Sequence, residues 1–286
     1  MTNQSTGIIY FCTTPIGNLE DITLRVLHTL QEVDLIAAED TRHTIKLLNH
    51  FDIKTSLTSY HQHNEKSKGD QLIERAREGK DIAVVSDAGM PGISDPGQEL
   101  IRKCIDQGID FTLLPGANAA LTGLVLSGLS TRSFAFEGFL SRQKKERTLQ
   151  LERVQKETRT IIFYESPNRI VDTLKELKKH LGSRKVALAR ELTKQYEEIW
   201  RGTIETAIEE FQSRHSKGEF VLVIEGLSLE QLKQKEKQQW ESYTIPEHLQ
   251  YYISQGDSKK EAMKKVAKDR GISKREVYSY TITDNE

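Results

Sequence analysis

The fold is decided in Ile82-Ala-Val-Val-Ser-Asp-Ala-Gly-Met-Pro-Gly-Ile-Ser-Asp-Pro-Gly97. A short aliphatic and β-branched run, Ile82–Ser86, enters a loop dense in Gly, Pro and Asp. An amphipathic stretch over Pro96–Gln107 follows, and Gly108 stands just past it as a C′ residue. Strand, loop and helix in that order are the unit of an α/β fold. Outward from this unit the pattern repeats. Strands are expected at Ile8–Cys12, Asp34–Ala38 and Phe111–Leu114, with helices at Thr23–Gln31, Thr41–His50, Lys68–Glu78 and Ala117–Leu129.

A second α/β block begins near Phe134. Its strands are expected at Thr160–Tyr164, Lys185–Ala189, Glu198–Arg201 and Glu219–Glu225, its helices at Pro167–Leu181 and Ile204–Arg214. Between the blocks, Ser141–Arg159 carries seven Lys/Arg against three Glu and reads as an exposed basic helix or flap. The expected organisation is therefore an N-terminal α/β domain over 1–116, a second over 117–226, a linker helix over 227–243 and a small basic helical domain over 244–286. In the last, Ser258-Lys-Lys-Glu261 and Ser273-Lys-Arg-Glu276 have the shape of capping boxes around Gly271, a helix-turn-helix pattern. From Ser258 to Arg275 there are eight Lys/Arg against two acids.

Composition excludes several classes. The chain has 286 residues, 41 Lys+Arg and 42 Asp+Glu, so attraction to nucleic acid must come from local patches. The opening residues lack the basic n-region of a signal peptide, and no apolar run approaches the ~20 residues of a membrane span. Two cysteines in unrelated settings, Cys12 and Cys104, argue against a disulfide framework and fit a cytoplasmic setting.

Three strand-following loops, Thr13–Thr23, Ser86–Gly97 and Leu114–Ala120, are rich in Gly, Pro and small polar residues. In a parallel sheet they gather at the carboxyl edge, where ligands bind. None matches a phosphate-binding or dinucleotide fingerprint. Asp87 and Asp95 suit a cationic or hydroxyl-bearing ligand better than a triphosphate. Glu39, Asp40, Arg42 and His43 follow another strand at the same edge. Asp40 reads equally as a general base and as an N-cap, with Arg42 for a phosphate. Glu165 holds the matching position in the second block and is the other catalytic candidate, as a residue orienting the ribose. Arg190, Glu191 and Lys194 read as RNA-backbone contacts or as a structural ion pair. Arg142, Lys144, Lys145 and Arg147 of the flap and Lys259, Lys260, Lys274 and Arg275 of the terminal unit are the stronger RNA candidates. His61-Gln-His63 offers two ligands and no third, so no metal is expected. Tyr60, Tyr164 and Tyr196 are aromatic candidates for stacking on a base, against a core role.

Thr14-Pro-Ile-Gly-Asn-Leu-Glu-Asp-Ile-Thr23, Ala38-Glu-Asp-Thr-Arg-His43, the Ser86–Gly97 loop, Phe163-Tyr-Glu-Ser-Pro167 and Ala189-Arg-Glu-Leu-Thr-Lys194 together resemble the signature segments of the ribosomal RNA small subunit methyltransferase I family, a branch of the tetrapyrrole-methylase fold. The likeness runs from about Ile8 to Gly226. It implies two α/β domains with S-adenosylmethionine in the cleft between them, a homodimer, and 2′-O-methylation of a cytidine in the decoding region of 16S ribosomal RNA in the small subunit. By position it implies that Pro15, Ile16, Gly17, Ser86, Asp87, Ala88, Gly89, Gly92, Ile93, Ser94, Pro115, Gly116, Ala117 and Asn118 line the cofactor. Met90 and Pro-Gly-Ala-Asn118 depart from the family's usual residues. Rival readings are a tetrapyrrole or protein acceptor on the same fold, or an RNA-binding module without activity.

Overall fold

The computed structural model describes residues 6–214, 217–232, 234, 240 and 242–280. They fall into two compact units, one of residues 1–155 and 160–225, the other of 156–159 and 226–286.

The first unit holds two five-stranded sheets. In the first sheet β1 (Ile9–Cys12), β2 (Leu35–Ala38), β3 (Leu57–Ser59), β4 (Ile82–Val85) and β5 (Phe111–Leu114) are all parallel, in the order β3-β2-β4-β1-β5. Its inner strands are apolar on both faces, as helices on each side require. Cys12, Ile36, Ala38, Ala83 and Val85 fill one face with Val26 and Leu30 of α1 (Leu24–Glu32) and Leu48 of α2 (Thr41–His50). On the other, Ile9, Phe11, Ala37, Ile82 and Val84 pack beneath Leu72 and Ile73 of α3 (Glu65–Arg77) and Leu100 and Cys104 of α4 (Gln98–Gln107). Burial pushes the Cys12 thiol up to about 12 and that of Cys104 to about 11, so both behave as small apolar side chains.

The second sheet is mixed. β6 (Phe134–Phe139) runs parallel to β7 (Thr160–Glu165); β8 (Lys185–Arg190), β9 (Glu198–Thr203) and β10 (Phe220–Ile224) pair antiparallel, in the order β6-β7-β10-β8-β9. Helices α6 (Lys144–Gln155), α7 (Ile170–Leu181) and α8 (Ile204–Gln212) cover one face of it through Leu151, Val154, Leu174, Leu177 and Phe211. Helix α5 (Ala119–Ser127) packs on the other, its Ala120 and Leu124 against Ile162, Ala187, Ala189 and Val221. The basic flap is thus helix α6, in contact with α7.

Two strands go beyond the sequence pattern. β3 has only three residues, and β6 breaks its register between Phe136 and Gly138, so neither shows a clean alternation.

In the second unit, helices Ile245–Ser254, Lys259–Arg270 and Lys274–Ser279 enclose Leu249, Ala262, Val266, Ala267 and Val277. The side chains of Ser258 and Ser273 accept the Glu261 and Glu276 amides (3.3 and 3.2 Å), and Gly271 takes a left-handed φ of 66°, as the capping pattern predicts. The helix-turn-helix pattern does not include the first of the three helices; its cap is Thr244, paired with Glu247. Seven residues of the expected linker helix, 233, 235–239 and 241, lie outside the described residues. Among the described residues no helix is long and apolar enough to cross a membrane.

Candidate active site

Strand order determines the site. β2, β4, β1 and β5 lie side by side and parallel, so the segments leaving them converge at one sheet edge. Thr14 and Gly89 bridge the first two loops through paired backbone hydrogen bonds, 2.9 and 3.1 Å. The Thr14 hydroxyl also donates to the Ser86 carbonyl (3.2 Å), and the Thr13 hydroxyl donates to the Leu114 carbonyl (2.7 Å). Asn118 caps α5 by accepting the Leu121 amide (3.0 Å). From the second sheet come the ends of β6, β7 and β8 and the start of β10.

Together they enclose a cavity of about 400 Å³. Its apolar wall is made by Ile16, Met90, Ile93, Ala119, Phe139 and Tyr164. Tyr164 is held in place: its ring packs edge-on to Phe136 and Phe139 (4.9 and 5.7 Å), and its hydroxyl accepts the Ala120 amide (3.1 Å). The polar wall carries six carboxyl residues, Glu39, Asp87, Asp95, Glu165, Glu191 and Glu219, against one cation, Lys194.

These carboxylates are not alike. The Glu165 side chain is fully buried and held on both oxygens: Ser166 donates from its amide (2.8 Å) and Thr173 from its hydroxyl (2.6 Å), with Arg169 at 3.6 Å. Glu191 accepts from Lys194 (2.8 Å), and Lys194 also reaches Glu219 (3.6 Å). Glu39 accepts the Asp87 amide (3.4 Å), and burial raises its pKa. Asp95 makes neither a hydrogen bond nor an ion pair to a described residue. Burial, reinforced by the like charges of Glu39, Asp87 and Glu219, pushes it up to about 7. A carboxyl group with no partner, in a cavity and with a pKa near neutrality, has the properties of a general base.

Backbone geometry sets the loops close. Gly89 has φ 82°, and a Cβ there would stand 3.3 Å from Ile16. A Cβ on Gly17 would stand 2.7 Å from the Leu192 carbonyl oxygen and 2.8 Å from the Thr193 hydroxyl, so only glycine lets the first loop lie on the Glu191–Lys194 turn. That turn holds Glu191 and Thr193 at positive φ, 50° and 66°.

Of the residues expected to line a cofactor, Ile16, Asp87, Ala88, Gly89, Ile93, Ser94 and Asn118 border the cavity; Pro15, Gly17, Ser86, Gly92, Pro115, Gly116 and Ala117 do not. Asp40 lies outside the lining and takes the N-cap alternative, accepting the Arg42 amide (2.8 Å) and two bonds from the Arg42 guanidinium (3.0 and 2.6 Å), which hold its carboxyl far below the usual range. That pairs Arg42 with Asp40 while its side chain stays 89% exposed. Arg190 pairs with Glu198 (3.1 Å), and with Lys194 it takes the structural ion-pair reading. Tyr60 is core, and Tyr196 is exposed. The rings of His61 and His63 lie 6.0 Å apart, with no group of three metal-binding side chains among the described residues. Sequence reasoning does not place Phe139 or Glu219 at the cavity, and it reads Asp95 only as loop charge. Strand-end position is the one available signal for Glu219.

The Tetrapyrrole (Corrin/Porphyrin) Methylases family matches residues 9–208. Among solved structures, a diphthine synthase superposes with a TM-score of 0.64 at 14% identity, over 80% of this chain and 95% of that one. A cobalt precorrin-4 methyltransferase gives 0.58 at 17%, over 76% and 94%. These likenesses show the fold. Fold and family together define a methyltransferase whose methyl donor is S-adenosylmethionine.

Closer relatives narrow the class. A protein from Halalkalibacterium halodurans named ribosomal RNA small subunit methyltransferase I is 52% identical over 273 residues, covering 96% of this chain and 94% of its own. Its namesake from Bacillus subtilis is 52% identical over 272 residues, covering 95% and 93%. The chain belongs to the ribosomal RNA small subunit methyltransferase I family.

The cavity fits the donor. The apolar wall suits the adenine ring, and the excess of carboxylates suits a ligand bearing both a sulfonium and an ammonium. Gly89→Val tests the loop that forms this cradle. A left-handed φ costs a side chain about 1–2 kcal/mol, more when β-branched. Donor Kd by calorimetry is expected to rise at least ~5–30-fold.

Proposed function

We propose that this chain transfers the methyl group of S-adenosylmethionine to the ribose 2′-hydroxyl of a cytidine in the decoding region of 16S ribosomal RNA, acting as a cytoplasmic homodimer on the assembled small subunit. The carrying observation is the unpartnered, proton-affine Asp95 in an otherwise committed acidic cavity. The relatives' names support ribosomal RNA as the acceptor. Exposed Leu121 and Val125 on α5 support a second copy as partner.

When bound, the donor supplies a sulfonium methyl for in-line displacement by an oxygen nucleophile. The chain's residues do the rest by position and by proton transfer. Asp95 accepts the proton of the attacking hydroxyl. Glu165 acts by position: its buried side chain is held by hydrogen bonds from Ser166 and Thr173 and by the ion pair with Arg169. Tyr164 and Phe139 keep water from the apolar wall. Exposed Lys144, Lys145, Lys259, Lys260, Lys274 and Arg275 hold RNA phosphates, with the exposed His43 ring as a further polar contact.

Labelled donor incubated with small subunits lacking the modification, followed by nucleoside analysis, tests the reading. Label is expected in 2′-O-methylcytidine. Label in a base, in a tetrapyrrole or in protein, or none at all, would overturn it.

A further inference from the structure

A second concavity, about 980 Å³, lies between α6 and α7 on the face of the second sheet away from α5. Arg142, Arg147, Arg169, Lys175, Lys178 and Lys179 line it, against Asp172 and Glu176. Some of that charge is spent locally. Lys179 pairs with Glu176 (2.5 Å), Lys178 with Glu205, and Arg169 faces Glu165 while donating to the Leu140 carbonyl (2.7 Å). Among the described residues Arg147 donates to the carbonyls of Ser141 and Arg142 (3.4 and 3.1 Å), which anchors its side chain, and its charge is felt by Glu176 without a direct ion pair. Arg142 and Lys175 are exposed and pair with no carboxylate among the described residues. In a chain of net charge −1 this is a local excess.

The groove adjoins the donor cavity. Phe139 lines the cavity and Leu140, the next residue, lines the groove. Glu165 lines the cavity and accepts from Thr173, which lines the groove. We propose that the α6–α7 groove is a track for the phosphate backbone of single-stranded RNA, with Arg142 and Lys175 as its phosphate-binding side chains. A strand running along it presents a neighbouring ribose to the cavity without any base being read. The proposal rests on the RNA reading above and adds the route by which the acceptor strand approaches.

Arg142→Glu combined with Lys175→Glu tests it, because neither side chain holds the fold together. Lys46→Glu with Lys54→Glu, both exposed in the first domain, makes the same change in net charge elsewhere. The full-length proteins are compared for donor affinity, for binding of a generic single-stranded RNA across a salt series, and for methylation of small subunits. The groove variant is expected to bind RNA about tenfold or more weakly, and its log–log salt slope should flatten by about 0.7 for each phosphate that is no longer neutralised. Subunit KM should rise with it while donor affinity holds. The control pair should stay near wild type.

Equal losses in both variants, or none in the groove variant, would overturn the track. So would a wild-type protein that holds no RNA. Abolished subunit methylation with unchanged RNA binding would make the groove a docking face for an acidic ribosomal protein instead, and would also overturn it. RNA binding that depends on the groove in a protein that methylates no subunit keeps the track and removes the RNA-methylation reading.

Discussion

Asp95→Asn is expected to lower kcat by about 10²–10⁴-fold, the range that loss of a positioned general base produces. The amide keeps the shape and removes the proton acceptor, so donor affinity should change far less than the rate. The pH profile separates this role from a structural one. With a carboxyl raised to about 7, the wild-type rate climbs as pH rises through neutrality and then levels. The variant's residual rate should lose that limb.

Stability runs in the opposite sense. The folded carboxyl holds a proton that the unfolded chain releases near 4. The stabilisation is complete below that pH and is lost as pH rises through about 7. In Asp95→Asn this fall should disappear from chemical unfolding curves taken between pH 4 and 8. An unchanged rate and an unchanged pH profile would exclude Asp95 as the base.

Phe163→Ala should produce the largest loss of stability. Phe163 is fully buried at the centre of β7, against Leu174, Leu177, Leu188 and Leu222. Removing an aromatic side chain from such a site costs about 3–5 kcal/mol, from lost burial and from the cavity left behind. Total stabilities are about 5–15 kcal/mol, so the change takes a large share of the whole. Denaturant midpoints should drop accordingly, and the melting temperature by roughly 6–20 °C. Phe163→Leu, closer in volume, should recover much of the loss. A variant that melts with the wild type would show that the second sheet's core repacks around the gap.

The contrast between these residues marks what the sequence makes legible. Phe163 lies in an unbroken apolar run, and its burial follows from the pattern around it. So do the central strands of both sheets, whose apolar runs continue because both faces are covered. The edge strands do not announce themselves: Leu57–Ser59 is too short for a pattern and Phe134–Phe139 is interrupted at its bulge. For the site, the strand-following loops point to the correct sheet edge, since parallel topology alone brings them there. The chemistry is less visible. Asp40 and Asp95 are both loop aspartates in sequence, yet Arg42 two residues on ties up the first, while the second is raised by burial and by Glu39 and Glu219, which arrive from remote strands. Desolvation belongs to the assembled tertiary structure, and local sequence carries little of it.

Strand order has a last consequence, for how the molecule is made. β10 is the final strand of its sheet to leave the ribosome, yet it sits in the middle, between β7 and β8. Until Phe220–Ile224 has emerged, Ile161–Phe163 and Val186–Ala189 each face outward with an unpaired, strongly apolar edge. Nascent chains paused there, and fragments truncated before residue 220, are the sticky species of this protein and the natural clients of chaperones. Expression trials that shorten the chain should therefore keep everything through Ile224.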